Sequence, residues 1–76
     1  MFGTITNSDR AAWAMEAVDA FRAAHASDGD LQTDIKDLIT NLLHLARREC
    51  GIEDAAHFAS LAAQMHDMEV EEDPED

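Results

Sequence analysis

The chain has 76 residues, of which 17 are Asp or Glu and five are Lys or Arg, so its formal net charge is −12. This charge density disfavours contact with nucleic acid or anionic membranes and favours basic protein surfaces. A single domain of this length buries only about 60% of the surface of its unfolded chain, so a partner or a second copy would add stability. The single cysteine excludes an internal disulfide, and the first ten residues lack the basic segment and apolar run of a secretory signal. We therefore expect a soluble, cytoplasmic protein without a membrane span.

The first predicted helix covers about residues 8–26 and is rich in alanine, the residue with the highest helix propensity. Asn7 or Ser8 is the expected N-cap, because a short side-chain oxygen can accept a hydrogen bond from an early backbone N–H. Trp13 and Phe21 are expected to anchor this helix in the core, on a face that they share with several alanines.

The second helix is predicted over about residues 30–50, with Asp30 or Ser27 as its N-cap. Its apolar residues recur at spacings of three and four and form a broad stripe: Leu31, Ile35, Leu38, Leu42 and Leu45. Gly51 is expected to end the helix as a left-handed C-terminal cap. This helix should be the central element of the core.

A third helix is predicted over about residues 53–68, where Phe58, Leu61, Met65 and Met68 recur with a helical period. Six of the last eight residues are acidic, and the segment 69–76 offers almost nothing to bury. The sequence thus predicts an all-α fold, a small three-helix bundle over residues 1–68 with a disordered acidic tail. The short turns favour antiparallel neighbouring helices.

No spacing of histidines and the cysteine indicates a metal site. No two of these residues lie two, three or four positions apart: His25, His44, Cys50, His57 and His66. Zinc sites on helices usually take their ligands from such spacings, and a Cys–His nucleophile would need an orienting group that the pattern does not supply. The sequence therefore predicts no metal, no cofactor and no catalytic activity.

Two pairs of carboxylates favour an alternative, enzymatic interpretation. Glu16 and Asp19 are three residues apart on the first helix, as are Asp34 and Asp37 on the second, so the two pairs could hold a divalent cation together. The stretch 34–65 resembles the core of MazG-type nucleotide pyrophosphohydrolases. That resemblance implies magnesium held by carboxylates on helices, although the EExxE segment of the family is absent from the first helix. A degenerate pyrophosphohydrolase is the enzyme alternative.

Rows of carboxylates on helices can also imitate the spacing of phosphates and occupy a groove that normally holds nucleic acid. A very short, acidic, Ala- and Leu-rich helical chain with the segment DLITNLLHLARRECGI resembles small accessory proteins of phages and mobile elements, including anti-CRISPR and anti-restriction proteins. This resemblance implies a phage-encoded inhibitor in the host cytoplasm that binds a basic surface, such as that of a CRISPR effector. The acids expected to make the contact are Glu16, Asp19, Asp30, Asp34 and Asp37.

Two further possibilities concern partners. The chain could be an antitoxin or regulator that binds a basic partner protein. It could also form a homodimer, because so small a bundle would leave part of the apolar stripes exposed, including Ile39, Leu43, Phe58 or Met65.

Overall fold

The computed structural model describes residues 5–27 and 29–73, which form three α-helices and no strand. The helices are α1 (Asn7–Ala24), α2 (Leu31–Cys50) and α3 (Ala55–Glu72). The predicted all-α three-helix bundle is therefore confirmed. Within the described ranges, none of the helices is long and apolar enough to cross a membrane.

A capping box begins α1. The hydroxyl of Thr6 accepts a hydrogen bond from the Asp9 backbone N–H at 3.1 Å, and the Asp9 carboxylate accepts one from the Thr6 backbone N–H at 3.0 Å. These two bonds satisfy backbone donors that have no partner inside the helix. The N-cap is thus one or two residues earlier than the predicted Asn7 or Ser8.

Both ends of α2 follow the prediction. The Asp30 side chain accepts a hydrogen bond from the Thr33 backbone N–H at 2.7 Å and caps the first turn. Gly51 has a φ of 70°, and the N–H of Ile52 donates back to the carbonyl of Ala46 at 3.3 Å. A glycine in the left-handed conformation thus ends the helix, as predicted, and the carbonyl of Ala46 has its partner beyond the last helical residue.

The beginning of α1 contacts the end of α3. The backbone N–H of Asn7 donates to Oδ2 of Asp73 at 2.9 Å, and its side-chain amide donates to the carbonyl of Glu69 at 2.9 Å. Arg10 Nε lies 3.2 Å from Oε2 of Glu69. Three antiparallel helices packed side by side would leave these two ends about 27 Å apart. The three described helices therefore meet at three corners, and they do not pack antiparallel along their whole lengths as predicted.

The same corner explains why α3 is longer than predicted. The sequence pattern predicts an end at Met68 and a flexible acidic tail from Glu69, but the helix continues through Glu72 with Asp73 as its C-cap. Residues 69–73 are held by contacts with residues more than 60 positions away, which a local pattern does not register. Residues 74–76 of the predicted tail lie outside the described residues.

The helices bury little apolar surface against one another. In the described part of the chain, Val18 and Ala46 are the buried apolar residues. Phe21 is half-buried, whereas Trp13 is 55% exposed, so the prediction that Trp13 anchors α1 is wrong. Trp13 lies five residues before Val18, which places it about 140° away from Val18 around the helix.

Candidate partner-binding surface

The structure removes Asp34 from the predicted acidic surface. Its side chain is buried, with 1% of the residue exposed. Ser27 donates its hydroxyl to Oδ1 at 2.6 Å, and Arg22 Nε lies 2.8 Å from Oδ2. Oδ2 accepts no well-aligned hydrogen bond, so the charge of Arg22 is what compensates its burial. Asp34 therefore joins α1 to α2 and cannot contact a partner.

Arg22 and Ser27 extend this contact into the turn between α1 and α2. Arg22 Nη2 donates to the carbonyl of Gly29 at 3.0 Å, and the Ser27 hydroxyl accepts from the Gly29 N–H at 3.1 Å. We call Arg22, Ser27, Gly29 and Asp34 the Asp34 cluster. One sequence signal could have revealed it, because Asp34 lies three residues after Leu31 and four before Leu38, within the apolar stripe of α2.

Asp30 and Asp37 are each partly committed to the fold. Asp30 is exposed, but hydrogen bonds from the backbone N–H and the side chain of Thr33 hold its pKa below the usual value. Asp37 is half-buried and lines a shallow groove with Phe21 and His25. The rings of these two neighbours lie with their centroids 4.2 Å apart. Only part of either carboxylate is thus available to another molecule.

Glu16 and Asp19 are the predicted site residues that remain fully available. Both are exposed, and neither makes an ion pair or a side-chain hydrogen bond within the described residues. Trp13 lies one turn before Glu16 on the same side of α1, and Asp9 lies one turn before Trp13. We call this surface, formed by Asp9, Trp13, Glu16 and Asp19, the α1 outer face. The sequence pattern identifies Glu16 and Asp19, but it does not identify Asp9, and it places the indole of Trp13 in the core.

The two carboxylate pairs do not form the cation site that the MazG-type resemblance implies. Asp34 is neutralised by Arg22, while Glu16 and Asp19 lie exposed on α1. Within the described ranges, no group of three or more His, Cys, Asp or Glu side chains is arranged to hold a metal ion. The geometry of this part of the chain therefore gives no support to a magnesium centre.

Comparison with known proteins supplies no relative from which a function could be transferred. The chain matches no protein-family model, no curated protein and no solved structure. The resemblances to phage accessory proteins and to MazG-type hydrolases therefore rest on the sequence features described above.

Proposed function

We propose that this chain is a non-catalytic, acidic protein-binding module whose α1 outer face docks on a basic surface of a partner protein. One observation carries this proposal: Trp13 is 55% exposed on the same helix face as two unpaired carboxylates. Tryptophan is enriched among the residues that contribute most to protein interfaces. Its ring also attracts Arg and Lys side chains through cation–π contacts, so an exposed indole beside carboxylates suits a basic partner.

The charge of the whole chain supports the same partner class. A net charge of −12 attracts a positively charged surface from a distance and raises the rate of encounter. Glu16 and Asp19 would then replace phosphates in a groove lined by Lys and Arg. Because both residues lie on a helix that is already formed, binding would not require the ordering of a flexible segment, which costs conformational entropy. In its most specific form, the proposal is a phage-encoded inhibitor of the anti-CRISPR type in the host cytoplasm. That form rests on the resemblance in size, charge and helical character.

A charge-reversal experiment tests the α1 outer face. The double variant Glu16→Lys/Asp19→Lys and the matched control Asp67→Lys/Glu71→Lys change the net charge equally, and all four positions are exposed. Surface plasmon resonance would measure association with a panel of purified CRISPR effector complexes and toxins. We expect the α1 variant to reduce the association rate about tenfold or more, because long-range attraction acts mainly on encounter. The α3 control should reduce it much less.

Two further measurements are the salt dependence of binding and the effect of replacing Trp13. Raising the salt concentration should weaken binding of the unmodified chain, and Trp13→Ala should mainly increase the dissociation rate. Binding that responds to neither salt nor the α1 reversal would contradict the proposal. Binding to a toxin but to no effector complex would favour the antitoxin alternative, with the same α1 surface in use.

A further inference from the structure

Apolar side chains of α2 and α3 form a surface that the chain itself does not cover. We define the α2–α3 apolar face by six side chains: Ile35, Ile39, Leu42, Phe58, Leu61 and Met65. Each of the six residues is between 41% and 61% exposed. A groove of about 380 Å³ connects the two helices, with Ile39 and Leu42 on one side and Phe58 on the other. Ile39, Leu42 and Phe58 therefore belong to one surface that joins α2 to α3. Ile35, Leu61 and Met65 continue the apolar stripes of the two helices at helical spacing.

The amount of exposed surface shows how much is left uncovered. The chain exposes 6234 Å², whereas a compact monomer of 8.4 kDa is expected to expose about 4,600 Å². Its radius of gyration is 14.3 Å, compared with about 11.4 Å for a compact domain of this length. The excess of about 1,600 Å² belongs to the chain as a whole, and it is larger than the ~800 Å² that one partner contributes to an interface of standard size. The open arrangement of the helices therefore leaves enough surface for such an interface.

We infer that a second copy of this chain covers the α2–α3 apolar face, and that the protein is a homodimer whose main core forms between the two copies. The distribution of charge favours a second copy over a basic partner at this face. No Asp, Glu, Lys or Arg occurs in the segments 38–45 and 58–65, which form the centre of the face. A basic partner would find no carboxylate there, whereas two strongly acidic copies can approach closely only through a surface without charge.

This surface is separate from the α1 outer face, and the two respond to salt in opposite ways. Two copies that each carry −12 repel one another, so screening by salt should strengthen the dimer. Binding of a basic partner to Glu16 and Asp19 should weaken under the same change. Failure of one proposal is thus distinguishable from failure of the other.

Sedimentation velocity of the unmodified full chain is the first test. Over about 1 to about 200 µM protein, we expect a species of twice 8.4 kDa whose fraction rises with concentration and with salt. A helical monomer of 8.4 kDa throughout this range would overturn the inference, as would a closed species larger than a dimer. This measurement needs no variant and is therefore independent of any effect of mutation on folding.

Variants then locate the interface. Leu42→Lys places a charge in the centre of the face, and Thr40→Lys places the same charge about 160° away on the same helix, at an exposed position. We expect Leu42→Lys to be monomeric and Thr40→Lys to remain dimeric. If circular dichroism shows that Leu42→Lys has lost its helices, Leu42→Ala is used instead. We expect Leu42→Ala to raise the dissociation constant of the dimer about tenfold or more. Unchanged dimerisation of a helical Leu42 variant would overturn the inference.

Discussion

The α1–α2 corner and the α2–α3 corner join the helices by opposite means. At the α1–α2 corner, the Asp34 cluster buries a carboxylate and provides it with a cation and a hydroxyl from the same chain. At the α2–α3 corner, Gly51 turns the backbone, and the apolar side chains around Ile39 and Phe58 stay about half exposed. The first corner compensates its buried carboxylate within the chain, whereas the second leaves an apolar groove open to water.

This difference shows where another molecule is needed. A buried carboxylate without a partner is costly, so its cation must be supplied by the fold itself. Exposed apolar surface is tolerated one side chain at a time, but a continuous patch is typical of an interaction site. We therefore expect changes at the polar corner to act on the folding of one copy, and changes at the apolar corner to act on association.

The largest effect is expected from Asp34→Ala. This change leaves Arg22 without its partner and empties a buried site, so we expect a loss of about 3 kcal/mol in the free energy of unfolding. Urea denaturation at a fixed protein concentration, followed by circular dichroism, would measure it. Asp37→Ala is the matched control, because the same side chain is removed from a half-buried carboxylate one turn further along α2. Equal losses in the two variants would show that the Asp34 cluster does not stabilise the corner.

A smaller loss in the free energy of unfolding is expected from Gly51→Ala. A Cβ at this position would meet no atom within 4 Å, so the cost arises only from the positive φ of 70°. Non-glycine residues pay about 1 kcal/mol for this conformation. Gly29→Ala is the control, because its Cβ would make ordinary contacts at 3.6 Å and 3.7 Å, with Ser27 and Asp34. We expect a lower melting temperature for Gly51→Ala than for the unmodified chain, and little change in melting temperature for Gly29→Ala.

The smallest effect on stability is expected from Asp30→Asn, and this effect depends on pH. Hydrogen bonds from Thr33 lower the pKa of Asp30 below 3.8 in the folded protein. Because the folded pKa is the lower one, the stabilisation is complete above pH 3.8 and is lost as the pH falls through the folded pKa. Asp30→Asn keeps the capping oxygen but cannot ionise, so it should flatten this part of the profile of melting temperature against pH. An unchanged profile would mean that other carboxylates account for the loss.

The parts of the fold that could be predicted are those that depend on local sequence. The extent of α2, its cap at Asp30 and its end at Gly51 all follow from residues within one or two turns of one another. The prediction that the apolar stripe of α2 forms the centre of the core is wrong, because its residues from Leu31 to Leu45 are mostly 41% to 55% exposed. Trp13 was misassigned because alanine is compatible with either side of a helix, so the alanines of α1 do not show which face is buried. The end of α3 was missed because it depends on Asn7 and Arg10, more than 55 residues away.

The candidate site could be predicted from the sequence only in part. Charge and spacing identified Glu16 and Asp19, which the structure leaves exposed and unpaired. Asp34 belongs to the same spacing pattern, but only the three-dimensional packing of α1 against α2 shows that Arg22 neutralises it. Sequence periodicity reports which residues share a face of one helix. It does not report which neighbouring helix contacts that face.

The contact between the start of α1 and the end of α3 also affects the order in which the structure forms. Its hydrogen bonds join residues 62 to 66 positions apart, whereas those of the α1–α2 corner span seven. Closing the longer loop costs about 2 kcal/mol more in chain entropy. Non-local contacts of this kind form late in folding, and contacts at a chain end that are only partly buried, as these are, are among the first to open. We therefore expect the last turn of α3 to detach and reattach while the other two corners stay closed, and its amides to exchange hydrogen faster than those in the middle of α2.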